Sequence, residues 1–353
     1  MAAARCGAYH PANVPDTPAT AAAPTGDVKV SLVVPVRNES ASIDDLLESI
    51  AGQTRRPDEV VIVDGGSVDD TVGRARAATR GDGTVRVIEA GPATPGRGRN
   101  VGIAAARHEW IALTDAGIRL DPRWLEELLA AAARDPSAGV VYGNYEPVVD
   151  SFLTRCASLA YVVPPERRAD GFMRGPAIAS CLVRKTAWAS VGGFPDLRAA
   201  EDLIFMEALA GKGVGAGWAP GALVKWRLAP TVGATYRRFE LYSRHNVWAG
   251  RQRYWHYGVA RQYAAAALVV LAVLLAGPAW LILLPLGLLA RAVKSIWRRR
   301  AGRGLAWALE PSQLAGVMAL LLVLDAATFV GWLRARVTRP PSPPPPAAPA
   351  ANS

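Results

Sequence analysis

The chain has 353 residues, 51% of them hydrophobic, and carries 40 Lys and Arg against 30 Asp and Glu for a formal net charge of +10. That is enough apolar chain for one sizeable α/β core and a second module. The positive balance asks for an anionic partner, but nucleic acid is excluded as the reading: Arg298, Arg299, Arg300 and Arg303 flank apolar segments, as a cluster facing anionic lipid does, and no zinc-ligand spacing or RNA-binding aromatic signature is present.

Residues 1–27 are dominated by Ala, Pro and Thr without an apolar secretion core, and read as a disordered lead. From Val28 the pattern changes. Lys29 to Val36 and Glu59 to Val63 are short, valine-rich and apolar on both faces, as strands of a covered parallel sheet are. Between them Ile43, Leu46, Leu47 and Ile50 repeat at helical spacing, with Ser40 or Ser42 as cap and Gly52 near the end. Both strands stop abruptly in polar residues, the first in Arg37, Asn38 and Glu39, the second in Asp64, Gly65, Gly66 and Ser67. In open α/β sheets ligands settle at the carboxyl ends of the strands, so this unit predicts a nucleotide site.

The segment GPATPGRGRNVG, Gly91 to Gly102, carries Arg97 and Arg99 ahead of a helical run starting near Val101. A flexible loop feeding a helix N-terminus suits phosphate; the alternative is a mobile surface loop with solvated arginines. Glu109 to Leu113 reads as a strand ending near Asp115, and LDPRW predicts Asp121 as the cap of the next helix. Gly192 and Gly193 form a turn, after which Glu201 and Asp202 open an apolar helical run. Trp188 and Trp226 are candidates for a sugar pocket or for core packing, and YRRFELYSRHNVWAG reads as a basic aromatic helix on the surface or over the site. Cys6, Cys156 and Cys181 are odd in number and widely spaced, and the four histidines have no metal-ligand spacing.

PVRNE, VDGGSVDDT, LTDAGIRLDPRWLEEL, GGFPD and the Glu201-Asp202 pair, in that order, resemble family-2 glycosyltransferases of the GT-A fold. The resemblance covers roughly Val28 to Gly250 and implies a Rossmann-like mixed, mostly parallel sheet flanked by helices. It further implies that Pro35, Glu39 and Asp64 hold the base and ribose of a nucleotide-sugar donor. Arg97 and Arg99 are assigned to its diphosphate, and Asp202, or Glu201 as second choice, is the base that deprotonates the acceptor in an inverting transfer. In this family a DxD motif binds a divalent cation, Mn2+ or Mg2+. Here Asp115 supplies the first carboxylate and Gly117 stands at the second position, so Asp115 is a thin ligand set.

Ala264 to Ala290 carries no charge and is long enough to cross a bilayer, since about 20 apolar residues suffice. A single span would export the basic stretch Arg291 to Arg303, against the positive-inside tendency; a pair of short helices broken near Gly277-Pro278 returns it to the cytoplasm. Leu314 to Leu333 is also apolar but contains Asp325, which must either be paired in a helical bundle or lie in the interface. The expected organisation is a lead (1–27), a catalytic domain (28–250), a membrane-associated helical module (251–339) and a proline-rich tail (340–353). The expected activity is sugar transfer from a nucleotide diphosphate to a lipid-linked or cell-envelope glycan acceptor, at the membrane with the catalytic domain on the cytoplasmic face. Two alternatives stand beside it: a non-catalytic glycosyltransferase-like subunit, and a nucleotidyltransferase.

Overall fold

The computed structural model describes residues 28–79, 83–168 and 171–339, so the expected lead and tail lie outside the described residues. The first half runs β1 (Val30–Val36), α1 (Ile43–Ala51), β2 (Glu59–Asp64), α2 (Thr71–Thr79), β3 (Val85–Glu89), α3 (Pro95–Ala105), β4 (Trp110–Leu113), β5 (Ile118–Leu120), α4 (Trp124–Arg134), β6 (Ala138–Val148) and α5 (Phe152–Ala160). Then come β7 (Glu166–Arg168), β8 (Gly171–Met173), β9 (Cys181–Arg184), α6 (Lys185–Ser190), α7 (Glu201–Gly211) and β10 (Gly215–Arg227). The chain continues with α8 (Val232–Trp248), α9 (Gln252–Ala276), a 3-10 turn (Pro278–Ile282), α10 (Leu283–Arg299), α11 (Leu305–Ala308) and α12 (Pro311–Val337).

Eight strands form one sheet in the order β3-β2-β1-β4-β9-β6-β10-β5. β1 runs parallel to β2 and β4, β2 to β3, and β6 to β10, whereas β9 lies antiparallel between β4 and β6, and β5 antiparallel on the edge of β10. The sheet is therefore mixed and mostly parallel, as expected from valine-rich strands that must be covered on both faces. One buried cluster joins it to α1 and α4, and a second, on the opposite face, includes Ile103, Phe194, Phe205 and Leu209. The chain leaves β1 toward β2 and later returns to β4 on its other side, which opens a crevice at the carboxyl ends of β1 and β4. Register aligns Val36 with Asp64, so Arg37 and Gly65 emerge at one level of that crevice.

The glycine-rich segment is not the loop that its composition suggested. Its helix begins at Pro95, capped by Thr94 Oγ1, which accepts the Arg97 N–H at 3.2 Å, so both arginines lie in the first turns of α3. The glycines are there for packing: a Cβ on Gly102 would lie 2.3 Å from Val33 Cγ1, and one on Gly98 would lie 3.1 Å from Pro35 Cβ. α3 thus presses directly onto β1.

A third buried cluster lies between α5, α10 and α12. α12 is long and apolar enough to cross a membrane, yet it packs against α8, α5 and α10. A Cβ on Gly316 would meet Cys156 Sγ of α5 at 2.5 Å, and one on Gly331 would meet the Glu240 carbonyl of α8 at 2.5 Å. Asp325 is paired: Arg291 donates to both its oxygens, at 2.7 and 3.0 Å, and the Tyr263 hydroxyl donates at 3.1 Å. By contrast the facing arms of α9 and α10, joined at Gly277 (φ +105°) and Pro278, leave Leu268, Leu274, Leu275 and Ile282 exposed.

Candidate functional site

The crevice widens into a cleft of about 560 Å³. Of the residues singled out from the sequence, Pro35, Glu39, Arg99, Asp115, Glu201 and Asp202 line it. Asp64 and Arg97 do not. Asp64 is 3% exposed and accepts the N–H groups of Gly66 at 3.0 Å and Ser67 at 3.1 Å, so its carboxylate holds the turn that presents Gly65 to the cleft. Gly66 sits at φ +83° with Pro92 against it, where a side chain has neither the conformation nor the room. The Glu39 N–H donates to Thr71 Oγ1 at 2.7 Å, tying the β1 end to the start of α2, while its carboxylate accepts from the Ser42 hydroxyl. Asp121 takes the Arg123 N–H at 3.2 Å, a step before α4 begins at Trp124.

Arg99 organises the floor. Only 4% exposed, it donates from Nη2 to Asp115 Oδ1 at 2.7 Å and from Nη1 to Glu201 Oε1 at 2.9 Å, and its guanidinium lies 5.4 Å from the Phe194 ring centroid. Burial opposes its charge, but the two carboxylates outweigh that and hold its pKa above the ordinary arginine value. Hence one cation links the end of β4 to the start of α7. The preceding residue, Ala200, is held at φ +71°, a conformation that costs a non-glycine residue roughly 1–3 kcal/mol. That turn opens α7 with Glu201 and Asp202 at the cleft.

Burial pushes the Glu201 carboxyl up, and neighbouring Asp202 adds to the rise while Arg99 opposes it. Asp202 is likewise raised, first by burial, with Arg99 again opposing and Asp115 adding repulsion; its Oδ1 accepts the Leu203 N–H at 2.8 Å. A carboxylate made more basic in this way is suited to accept a proton near neutral pH.

The far wall is aromatic. Tyr145 from β6, Trp226 from β10, Tyr242 and Asn246 from α8, and Trp255 from α9 line it, with Arg37 and Arg198 at the edges. Trp226 was a sugar-pocket candidate in the sequence; Trp188 instead donates to Asn100 Oδ1 at 2.9 Å and packs behind the site. Tyr242 and Asn246 belong to the basic aromatic segment that the sequence placed on the surface or over the site; Tyr145 and Trp255 carried no local signal, because elements distant in sequence bring them to the cleft. Arg198 lies between GGFPD and the Glu201-Asp202 pair, where proximity to two motifs was the available hint.

Among the described residues no group of three or more His, Cys, Asp or Glu is placed to hold a metal ion. Asp115 is 44% exposed with one oxygen engaged by Arg99, and a Cβ on Gly117 would meet nothing within 4 Å. This donor set fits a cation only in the manner of Mg2+ or Mn2+ shared between one carboxylate, water and substrate phosphates.

Comparison with known proteins gives consistent matches. The sequence model of glycosyl transferase family 2 matches residues 31–181, and that of glycosyl transferase family group 2 matches residues 110–330. Two relatives named as glycosyltransferases are EpsH of Bacillus subtilis, 37% identical over 116 residues (33% of this chain, 33% of that one), and GlyG of Streptococcus pneumoniae, 30% identical over 117 residues (33% and 38%). Succinoglycan biosynthesis protein ExoU of Rhizobium meliloti is 34% identical over 117 residues (31% and 32%). Each match spans about a third of the relative's own length. Among solved structures, mannosyltransferase PcManGT of Pyrobaculum calidifontis, in complex with GDP-Man and Mn2+, shares the fold over 88% of this chain and 90% of its own, at 20% identity and a TM-score of 0.58.

Proposed function

Because the chain belongs to glycosyl transferase family group 2, we propose that it moves a sugar from a nucleoside diphosphate sugar to a hydroxyl of a lipid-linked or cell-envelope glycan acceptor, with inversion. The observation that carries this reading is the Arg99 bridge, which joins Asp115, at the strand end suited to the diphosphate, to Glu201 beside Asp202. Pro35, Glu39 and the turn held by Asp64 bound the nucleoside end; the aromatic wall faces the acceptor. Sugars stack on aromatic faces while their hydroxyls need polar partners, and Asn246 and Asp202 stand next to the rings.

In this reading Asp202 takes the acceptor hydroxyl's proton as the oxygen attacks the anomeric carbon from the face opposite the leaving group. The bond from that carbon to the phosphate oxygen breaks, and the nucleoside diphosphate departs with the electron pair. Glu201 remains paired to Arg99, which keeps the floor rigid and offsets part of the negative charge of Asp115 and Glu201 beneath the diphosphate. A divalent cation, held by Asp115 with donor oxygens and water, would supply Lewis-acid neutralisation of the leaving group.

The membrane attachment proposed here is monotopic. Tyr263 to Ala276 rises about 21 Å at 1.5 Å per residue, short of the roughly 30 Å hydrocarbon core, and the equally uncharged arm of α10 returns from the same depth. Arg261 and Arg291 stand at the feet of the two arms, on the side of the catalytic domain, in keeping with a cytoplasmic face.

Asp202→Asn tests the assignment. Sugar transfer in a membrane extract is expected to fall by about 10²–10⁴-fold, the ordinary contribution of a general base, with nucleoside diphosphate affinity retained. Full turnover in the variant would sink the role of Asp202. A wild-type chain that binds nucleotide yet turns over no donor would favour a non-catalytic subunit.

A further inference from the structure

Two arginines outside the catalytic floor converge from separate elements. Arg174, just after β8, donates from Nη1 to the Val163 carbonyl, and Arg299, at the end of α10, donates from Nε to the adjacent Val162 carbonyl and from Nη1 to Ser295 Oγ at 2.8 Å. Consecutive carbonyls of one loop thus hold two guanidiniums side by side. Neither makes an ion pair with a carboxylate among the described residues. Carbonyl dipoles fix their positions without supplying a counter-charge, and burial draws the Arg174 pKa below the ordinary value although Tyr145 and the Glu146 carboxylate act the other way.

Their place in the molecule gives the pair a use. Arg174 is tied by its N–H to Asn144 Oδ1 at 3.0 Å, and the next residue on that strand is Tyr145 of the cleft wall. The buried Tyr145 phenol, pushed up to about 12, lies within the electrostatic reach of Arg174, Arg299 and Asp202 alike. Arg299 also ends the return arm of the exposed apolar hairpin. The pair therefore stands between the hairpin and the acceptor wall. Among the described residues, Arg174 keeps Nε and Nη2 uncommitted, a fork matched to phosphate oxygens, and Arg299, whose Nη1 also donates to the Ser295 carbonyl at 3.2 Å, keeps Nη2; a guanidinium gives up water more readily than an ammonium does.

We propose that Arg174 and Arg299 clamp a phosphate or diphosphate carried by a membrane lipid, so that the lipid tail follows the α9–α10 hairpin and the group bearing the acceptor hydroxyl enters the cleft at Tyr145. This names the acceptor class of the site described above and rests on its reading as a glycosyltransferase. The two ideas can fail separately.

Full-length protein in neutral detergent is titrated calorimetrically with dodecyl phosphate, dodecanol and inorganic phosphate, and in parallel floated with phosphatidylglycerol or phosphatidylcholine vesicles. The expected order places dodecyl phosphate at least about tenfold tighter than either other ligand, which is about 1.4 kcal/mol. Arg174→Gln with Arg299→Gln is expected to remove that advantage while leaving nucleoside diphosphate affinity unchanged; the paired lysine variants, which keep the charge, retain part of it. Equal binding of dodecyl phosphate and dodecanol, or an unaffected double variant that unfolds like wild type, overturns the clamp. Displacement of dodecyl phosphate by phosphatidylglycerol vesicles, together with loss of flotation in the double variant, overturns it as an acceptor site and assigns it to bulk headgroups. Discrimination for the phosphate in a chain that transfers no sugar leaves the clamp standing and removes the catalytic reading.

Discussion

Arg99 is a buried cation that two carboxylates share, and that sharing explains why it sits beneath the site instead of reaching freely toward a phosphate. A lone guanidinium so deeply buried would cost several kcal/mol, whereas removing either carboxylate would leave the remaining charges poorly compensated. Gly117 is the opposite case, a position where nothing is built. Its φ is not positive and a Cβ would meet no atom within 4 Å, so Gly117→Asp introduces a second carboxylate near Asp115 without a clash. If Asp115 shares a divalent cation with the donor diphosphate, this variant should bind Mn2+ about tenfold more tightly when a nucleoside diphosphate is present, because ligand charge sets the affinity of such sites. Manganese titration by electron paramagnetic resonance reads this directly. An unchanged affinity would argue that Asp115 is committed to Arg99 and holds no cation.

At the scale of elements, α3 shows how composition misleads when packing is absent. PGRGRNVG has the glycine content of a loop, yet the proline occupies a first-turn position where it is tolerated and the glycines face β1 and the turn before α7. Gly96 decides how close α3 and α7 can be, since its Cβ would lie 2.2 Å from the Pro195 carbonyl oxygen and 3.4 Å from Glu201 Cβ. Helix propensity alone would make Gly96→Ala stabilising by about 1 kcal/mol. Steric conflict with backbone is expected to win, with a net loss of about 1–3 kcal/mol in urea unfolding and reduced transfer as Glu201 and Asp202 shift. A raised midpoint would mean that the two elements do not approach this closely.

For the whole molecule the question is how a chain with three membrane-length helices meets a bilayer. Length and composition alone admit three spans. Packing covers much of one side of α12, where it meets α5 and α8 and where Arg291 with Tyr263 satisfies Asp325, while the α9–α10 hairpin is the more exposed apolar projection. Epitope tags placed before Val28 and after Arg339 are then expected on the same side of sealed membranes as the catalytic domain, both cut by protease when that side faces out. A tag after Arg339 that is protected while the catalytic domain is digested would require an odd number of crossings.

Local pattern determined the strand, helix, strand opening of a covered α/β sheet, because valine-rich runs, amphipathic spacing and abrupt polar ends are properties of contiguous residues, and the ordered motifs added the GT-A class by resemblance. Resemblance to the family-2 motifs marked Pro35, Glu39, Asp64, Asp115, Glu201 and Asp202, and the glycine-rich run marked Arg97 and Arg99; in the folded chain all of these but Asp64 and Arg97 line one cleft. The sequence could not show that Arg99 joins Asp115 to Glu201, that Tyr145, Tyr242 and Trp255 form one wall, or that Asp325 has a partner. Each depends on contacts between residues far apart in the chain. Such pairings leave no periodic trace, since a side chain's charge or ring is the same whether its neighbour is solvent or another element, and tertiary packing alone decides which it will be.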